Sequence, residues 1–139
     1  MTYRYLLLPL LLFLFGGCKE EYPVYAAFCE QNSTTFPKCL HYTMMNKADK
    51  RAVEQRFGLK DDESCPYHAQ LTKYYVGACD NPAVKSLGSD FNGYIRIEIK
   101  KGFKCYYKIQ SDYKNDADAA FERVLKKIET EKKRQRFSN

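Results

Sequence analysis

Two neighbouring segments of alternating apolar residues constrain the fold of this chain more than any other feature. Their apolar members are Ile95, Ile97 and Ile99, then Phe103, Cys105, Tyr107 and Ile109. Successive side chains of a strand point to opposite faces, so this period of two predicts two half-buried strands. The segments are close enough in sequence to form an antiparallel β-hairpin over about residues 94–109.

The register of this hairpin follows from the requirement that paired residues share a face. A two-residue loop would pair apolar Ile99 with charged Lys104, whereas a three-residue loop over residues 100–102 pairs like with like. Three-residue loops favour a left-handed residue at their last position, where Gly102 stands. We therefore predict the pairs Ile99–Phe103, Ile97–Cys105, Ile95–Tyr107 and Glu98–Lys104, with Cys105 pointing into the core.

Three further segments have the periodicity of helices. Residues 44–57 carry an imperfect apolar stripe, followed by Gly58 as a C-terminal cap. Residues 65–79 follow an acidic segment and have apolar residues at helical spacing. The third helix, about residues 116–134, has a strong stripe formed by Phe121, Val124, Leu125 and Ile128. The expected fold is α+β: two N-terminal helices, the hairpin, and a C-terminal helix packed on the hairpin.

The chain contains six cysteines among 139 residues. A small exported domain with this content is typically stabilised by disulfides. One of the six cysteines, Cys18, directly follows the apolar N-terminal run and is considered separately below. The other five are candidates for disulfides, so at most two intramolecular bridges form and one cysteine is left over. They are Cys29, Cys39, Cys65, Cys79 and Cys105. A short extended pair closed by Cys29 and Cys39 is one possibility, and we also expect Cys105 to bridge to Cys79.

The first residues have the pattern of an export signal. Arg4 precedes an apolar run over residues 6–15, which is too short to span a bilayer because a spanning helix needs about 20 residues. The run ends in Phe15-Gly16-Gly17-Cys18. This ending resembles the lipobox of bacterial lipoproteins, although Phe15 stands where that family usually has Leu. An ordinary signal peptide with an unmodified cysteine is the alternative.

The lipobox resemblance implies cleavage before Cys18 and covalent attachment of lipid to that residue. Residues 1–17 are then a signal peptide, 18–24 a lipid-anchored tether, and 25–139 a single α+β domain in the periplasm of a bacterial cell envelope. Lys19 follows the cysteine where an Asp would signal retention, which favours the outer membrane. Several acyl chains together hold a protein firmly to a bilayer.

The hairpin and the C-terminal helix resemble the core of the TonB and TolA C-terminal domains. The residues that carry the resemblance are the strand from Gly93, the turn glycine Gly102, the strand to Ile109 and the helix around Phe121. Those periplasmic domains bind other envelope proteins. They also add a third strand after the helix, whereas residues 129–139 here are charged and poor in apolar side chains.

Catalytic chemistry has little support in the sequence. Cys65 and His68 are one helical turn apart in the predicted helix, which is compatible with a nucleophile or a metal pair. A disulfide cysteine beside a surface histidine explains the same spacing. The chain has no Cys-x-x-Cys motif and no glycine-rich phosphate loop. We therefore predict no catalytic residue, no metal, no cofactor other than the covalent lipid, no nucleic acid and no small-molecule substrate.

The outer face of the hairpin is the candidate partner surface. It is predicted to carry Tyr94, Arg96, Lys104, Tyr106 and Lys108. Tyr and Arg are enriched where proteins meet, although a sheet face covered by the N-terminal segment is an alternative. The predicted function is non-catalytic binding or scaffolding of another envelope protein, with the membrane bound through the lipid. Alternatives are a small Cys/His enzyme, a metal-binding protein or an inhibitor of periplasmic enzymes.

Overall fold

The structure, a computed structural model, describes residues 21–75 and 91–137. The described elements, in chain order, are β1 (Val24–Phe28), β2 (His41–Tyr42), α1 (Lys47–Phe57), β3 (Tyr67–Tyr75), β4 (Gly93–Lys101), β5 (Lys104–Tyr113) and α2 (Ala117–Phe137). Cys18 and Cys79 lie outside the described residues, as does most of the predicted signal peptide and tether.

The described strands form one mixed sheet in the order β1-β5-β4-β3-β2. The long strands β3, β4 and β5 are antiparallel neighbours, and β1 adds to β5 in the antiparallel sense. The two-residue strand β2 pairs with β3 in parallel. The predicted hairpin therefore lies at the centre of a larger sheet, with a strand on each side of it.

Both helices pack on one face of this sheet, which we call the inner face. The core between them joins the isoleucines of β4 to aromatic and apolar residues of β5, α1 and α2. Its fully buried members include Ile95, Ile97, Ile99, Tyr107, Ile109, Val53, Phe57, Val124, Leu125 and Ile128. The result is a two-layer α+β arrangement in which sheet predominates and a single helical layer covers one face.

Two of the three predicted helices are confirmed. Asn46 caps α1 by accepting the backbone N–H groups of Ala48 and Asp49. Gly58 ends the helix with φ 61°, and its N–H donates to the Glu54 carbonyl. Helix α2 buries the predicted stripe of Phe121, Val124, Leu125 and Ile128.

The prediction of a second N-terminal helix is wrong, and with it the fold of two helices followed by a hairpin. Residues 67–75 form strand β3, which pairs with β4 along its full length from Tyr67↔Lys101 to Tyr75↔Gly93. The segment contains three tyrosines and a threonine, residues that favour strands. Tyr67, Ala69 and Leu71 also fit a period of two. Pairing with a long, buried neighbour overrides the weak helical spacing.

The predicted hairpin register is wrong as well. Lys101 pairs with Lys104, so the loop has two residues, Gly102 and Phe103. Gly102 has the left-handed conformation, with φ 60°. A β-bulge at Tyr106 then shifts the pairing, which brings Tyr107 opposite Ile99. The bulge keeps Tyr107 and Ile109 in the core although the turn is tighter than expected.

The same bulge changes the position of Cys105. It pairs opposite Lys100, so it lies on the face away from the helices, and the expected core position opposite Ile97 is wrong. Cys105 forms a disulfide with Cys29, which follows β1, at a Cα–Cα distance of 5.7 Å. The second disulfide joins Cys39 to Cys65 at 5.9 Å. Both distances are ordinary for disulfides.

Disulfide stabilisation is therefore confirmed, but the expected pairings are not. Cys105 cannot bridge to Cys79 while it is bonded to Cys29, and Cys39 is not the partner of Cys29. The physical reason is that β1 adds to the sheet beside β5. Phe28 pairs with Tyr107, and the Cys29 N–H donates to the Tyr106 carbonyl at 2.9 Å. This pairing places Cys29 next to Cys105.

Candidate functional site

The face of the sheet opposite the helices, which we call the outer face, is the candidate site. Cross-strand pairing arranges its side chains in rows. One row runs from Tyr74 through Tyr94 to Asp112, and the next from Arg96 through Gln110 to Tyr25. No described helix packs over this face. Antiparallel sheets commonly keep one face toward the core and the other toward solvent.

Aromatic and cationic side chains on the outer face form one connected network. The rings of Tyr74 and Tyr94 stack with centroids 5.1 Å apart and planes 26° apart. The guanidinium of Arg96 lies 4.7 Å from the centroid of the Tyr94 ring, a cation–π geometry. Tyr74 remains 43% exposed, so the network presents aromatic surface to solvent, and Tyr25, which is opposite Gln110 on β1, is 63% exposed beside it.

Hydrogen bonds hold Arg96 in this position. Its Nε and Nη2 atoms both donate to Oε1 of Gln110, at 2.9 and 2.7 Å. The amide of Gln110 in turn donates to Asp112 Oδ1 at 2.8 Å. An arginine has five N–H donors, and only these two bonds to Gln110 are made within the described part of the chain. Arg96 is therefore oriented with donors to spare.

Charges on the outer face are mixed, with a positive surplus. On the outer face, β4 and β5 contribute three cations, Arg96, Lys100 and Lys108, and two acids, Glu98 and Asp112. Glu98 lies 3.6 Å from the Lys100 ammonium and pairs across the strands with Lys108. Lys108 is exposed. The surface that remains to an incoming partner is tyrosine-rich and mildly basic.

Only some of the residues predicted for this surface lie on the outer face. Tyr94, Arg96 and Lys108 lie on the outer face, and Lys104 is exposed beside the hairpin turn. Tyr106 does not lie there. Because of the bulge, its ring packs 4.9 Å from Tyr67 and 5.9 Å from Phe28, and its hydroxyl donates to the Thr35 carbonyl at 2.7 Å.

The sequence did not identify two members of the network, Tyr74 and Gln110, nor the neighbouring Tyr25. Tyr74 lies within the predicted helix of residues 65–79, and the sequence pattern does not predict that β1 joins this sheet. The period of two in residues 67–71 was the available signal for β3. With β3 placed beside β4, Tyr74 would have been expected next to Tyr94.

A second polar cluster lies at the β2 edge and holds that strand to α1. Asp61 Oδ1 accepts the Tyr42 N–H at 2.9 Å and lies 3.0 Å from His41 Nδ1, while Oδ2 contacts the Lys50 ammonium. The hydrogen bond from Lys50, followed by those from Tyr42 and His41, lowers the pKa of Asp61 to about 2. The cluster joins backbone, strand and helix, so we assign it to stability.

The pair of Cys65 and His68 lacks the chemistry of a nucleophile. Cys65 is 3% exposed and bonded to Cys39, so it has no free thiol. His68 lies on β3, with its ring 5.4 Å from that of His41. Within residues 21–75 and 91–137, no three His, Cys, Asp or Glu side chains form a group suited to a metal ion.

Two comparisons with known proteins find no relative of this chain. A scan against protein-family models finds no match for this chain, and a search of curated proteins finds none either. None of the described helices has the length and apolar character needed to cross a bilayer. Function is therefore inferred from the outer face and from the N-terminal sequence.

Proposed function

We propose that this chain is a lipoprotein of the bacterial cell envelope whose domain binds another envelope protein through the outer face. The lipid would be attached to Cys18, as the lipobox resemblance implies. Two disulfides within a small domain support an oxidising compartment, because such bonds persist mainly outside the cytosol. The leading expectation is an adaptor or scaffold on the periplasmic side of a membrane, with the outer membrane favoured.

The observation that carries the proposal is the preorganised network of Tyr74, Tyr94 and Arg96. Binding costs about 0.5–1.5 kcal/mol for each long side chain that must be immobilised. Here the rings are already stacked and the guanidinium is already fixed by Gln110. Tyr and Arg also dominate the residues that contribute most binding energy at protein interfaces. This surface would therefore lose little entropy when a partner covers it.

The charge of the outer face favours a partner with acidic groups. Arg96 keeps N–H donors that no described residue uses, and a carboxylate accepts two parallel bonds from a guanidinium. Lys108 is exposed on the same face and adds a second positive group. We therefore expect a protein surface that offers a carboxylate near Arg96 and apolar or aromatic contacts to Tyr74.

Crosslinking in living cells tests the proposal. A photoreactive residue replaces Tyr74, which is exposed at the end of the network, and adducts are identified by mass spectrometry. The matched control places the same residue at Phe103, which is fully exposed at the hairpin turn and is not part of the network. We expect one dominant envelope protein at position 74 and none at position 103. Arg96→Ala should reduce that adduct several-fold.

Two results would count against the proposal. The first is the absence of a specific adduct at position 74, and the second is an adduct of equal yield at position 103. If the dominant adduct is a secreted or hostile hydrolase, the binding role is that of an inhibitor. Intact mass tests the anchor separately, because the proposal requires a mature chain that begins at residue 18 and carries acyl mass.

A further inference from the structure

The N-terminal residues of the described chain lie against the solvent side of α2. Glu21 and Tyr22 line a surface cavity of about 820 Å³ together with Ala119, Glu122 and Lys126. The Tyr22 ring centroid is 5.9 Å from the guanidinium of Arg123. The chain thus enters the domain along this helix before it turns into β1.

This position limits the distance between α2 and a lipid attached to Cys18. Glu21 is the third residue after Cys18, and an extended chain covers at most about 3.6 Å per residue. The cavity beside α2 is therefore within about 11 Å of the lipidated residue. That distance is close to the Debye length of about 8–10 Å at physiological ionic strength, so Lys126, which lines the same cavity, would lie within electrostatic range of a membrane that holds Cys18.

The solvent side of α2 carries a stripe suited to such a surface. Lys126, Thr130, Lys133 and Phe137 are all exposed, and their spacing of four, three and four residues places them on one side of a helix. Ala119 and Glu122, which line the cavity beside Glu21 and Tyr22, precede Lys126 by seven and four residues. They belong to the same side. The stripe is opposite the buried residues Val124 and Ile128.

Two properties of the stripe favour a bilayer over bulk solvent. Phe137 is 90% exposed at the end of the helix, where an aromatic ring can enter the interface between headgroups and acyl chains. Arg134 and Arg136 flank it and are exposed. Anionic headgroups attract each nearby Lys or Arg by about 1 kcal/mol, a factor of about five in affinity.

Two acidic residues of α2 beside the stripe, Glu122 and Glu129, form ion pairs. The Glu129 carboxylate accepts hydrogen bonds from Lys133 and Arg56, both at 2.7 Å. The Glu122 carboxylate lies 3.7 Å from the Arg56 guanidinium. The pair of Glu129 and Lys133 is exposed and therefore weak, so Lys133 can turn toward a phosphate at little cost. Lys126 makes no ion pair with any residue in the described ranges.

We propose that the stripe formed by Lys126, Lys133 and Phe137 lies on the anionic lipid surface to which Cys18 is anchored. This inference rests on the lipid anchor in the proposed function and adds the orientation of the domain. Lipid and helix together give two attachments to one bilayer. The contact of α2 with the headgroups needs little additional ordering, because the lipid on Cys18 already holds the helix close to the membrane.

A tryptophan reporter tests this arrangement. The chain contains no tryptophan, so Phe137→Trp introduces a single tryptophan, which is excited selectively over the tyrosines, and Phe103→Trp at the hairpin turn is the matched control. Each full-length mature lipoprotein is reconstituted into vesicles of phosphatidylcholine, with or without phosphatidylglycerol. We expect a blue shift at position 137, and quenching by bromine-labelled lipid, in the anionic vesicles. We expect neither at position 103.

Charge reversal supplies the second measurement. Lys126→Glu with Lys133→Glu, in the Phe137→Trp protein, should abolish the blue shift, because each lysine contributes a factor of about five to docking. The control reverses Lys104 and Lys108, which are exposed on β5, and should leave the shift intact. Vesicle flotation is measured for every variant.

The outcomes separate the two proposals. Protein that floats with vesicles but shows no shift at position 137 overturns the docking inference and leaves the anchor in place. A stripe used for an acidic protein instead would give this result, since the vesicles contain no other protein. An equal shift without phosphatidylglycerol also overturns the inference. Mature protein that fails to float removes the lipid anchor and the docking inference together.

Discussion

The two disulfides make a quantitative prediction about stability. Cys29 and Cys105 are 76 residues apart in sequence, and the bridge of Cys39 to Cys65, 26 residues apart, is nested inside that loop. Replacing each pair by alanines, separately and together, opens the loops of the unfolded chain. In the chain-entropy description, a bridge stabilises the fold by reducing the conformational freedom of the unfolded state, and longer loops give larger effects.

The nesting changes the size of each effect. With the inner bridge intact, the path between Cys29 and Cys105 shortens to about 51 residues, so Cys29→Ala with Cys105→Ala costs about 4 kcal/mol. Cys39→Ala with Cys65→Ala costs about 3 kcal/mol, because the remaining outer loop lengthens in turn. All four replacements cost about 7–8 kcal/mol. A small domain has about 5–15 kcal/mol in total, so the protein without bridges should be marginally folded.

Urea unfolding of the oxidised variants, followed by far-UV circular dichroism, measures these values. The dependence of unfolding free energy on urea should also steepen when the outer pair is removed, because the unfolded chain then exposes more surface. The reasoning is refuted if either paired replacement costs less than about 1 kcal/mol. It is equally refuted if the bridge-free protein loses only a small part of its stability.

Two further predictions concern buried and half-buried polar groups. Tyr107→Phe removes the hydroxyl that donates to Glu131 Oε2 at 2.8 Å and leaves a buried carboxylate short of a donor, so thermal unfolding should show a loss of about 1–3 kcal/mol. The pKa of Asp61 is lowered to about 2, so its ionised form stabilises the fold above its unfolded pKa near 4, and this contribution is lost as the pH falls toward 2. In Asp61→Asn, the loss of unfolding free energy between about pH 4 and pH 2 should be smaller by about 1 kcal/mol. The value is modest because the side chain is only partly buried. An unchanged pH dependence of stability would contradict the prediction.

The helices could be predicted because their signals are local. In α2, the stripe containing Phe121 and Leu125 reports which side is buried whatever it packs against. In α1, the glycine at position 58 ends the helix through its own backbone conformation. Both features depend on residues within a few turns of one another, so no knowledge of distant segments was needed.

The sheet could be predicted only in part because its pairing is not local. β1 and β5 are more than 75 residues apart along the chain, yet Phe28 pairs with Tyr107. No local sequence pattern near residue 28 predicts that it pairs with β5. The bulge at Tyr106 is likewise determined by the need to bury Tyr107 beneath the helices, a requirement that the hairpin sequence alone does not express. The disulfide pattern follows from the same sheet order.

The candidate site shows the same division. Tyr94 and Arg96 were identified because they alternate with the core isoleucines of their own strand. Tyr74 and Gln110 complete the network from the two neighbouring strands, so their roles appear only when β3 and β5 take their places. Tyr106 has the same alternation in sequence, but the bulge removes it from the outer face.

The two proposed surfaces lie on opposite sides of the domain, which leads to a last prediction. α2 covers the inner face of the sheet, so a membrane under Lys126 and Lys133 leaves Tyr74 and Arg96 directed away from it. The helix layer and the sheet separate the two surfaces by about 10 Å or more. Reversing both lysines should therefore leave the crosslink at position 74 intact, and Arg96→Ala should leave the Phe137→Trp blue shift intact. Loss of both signals in either variant would show that one surface, or the fold itself, serves both contacts.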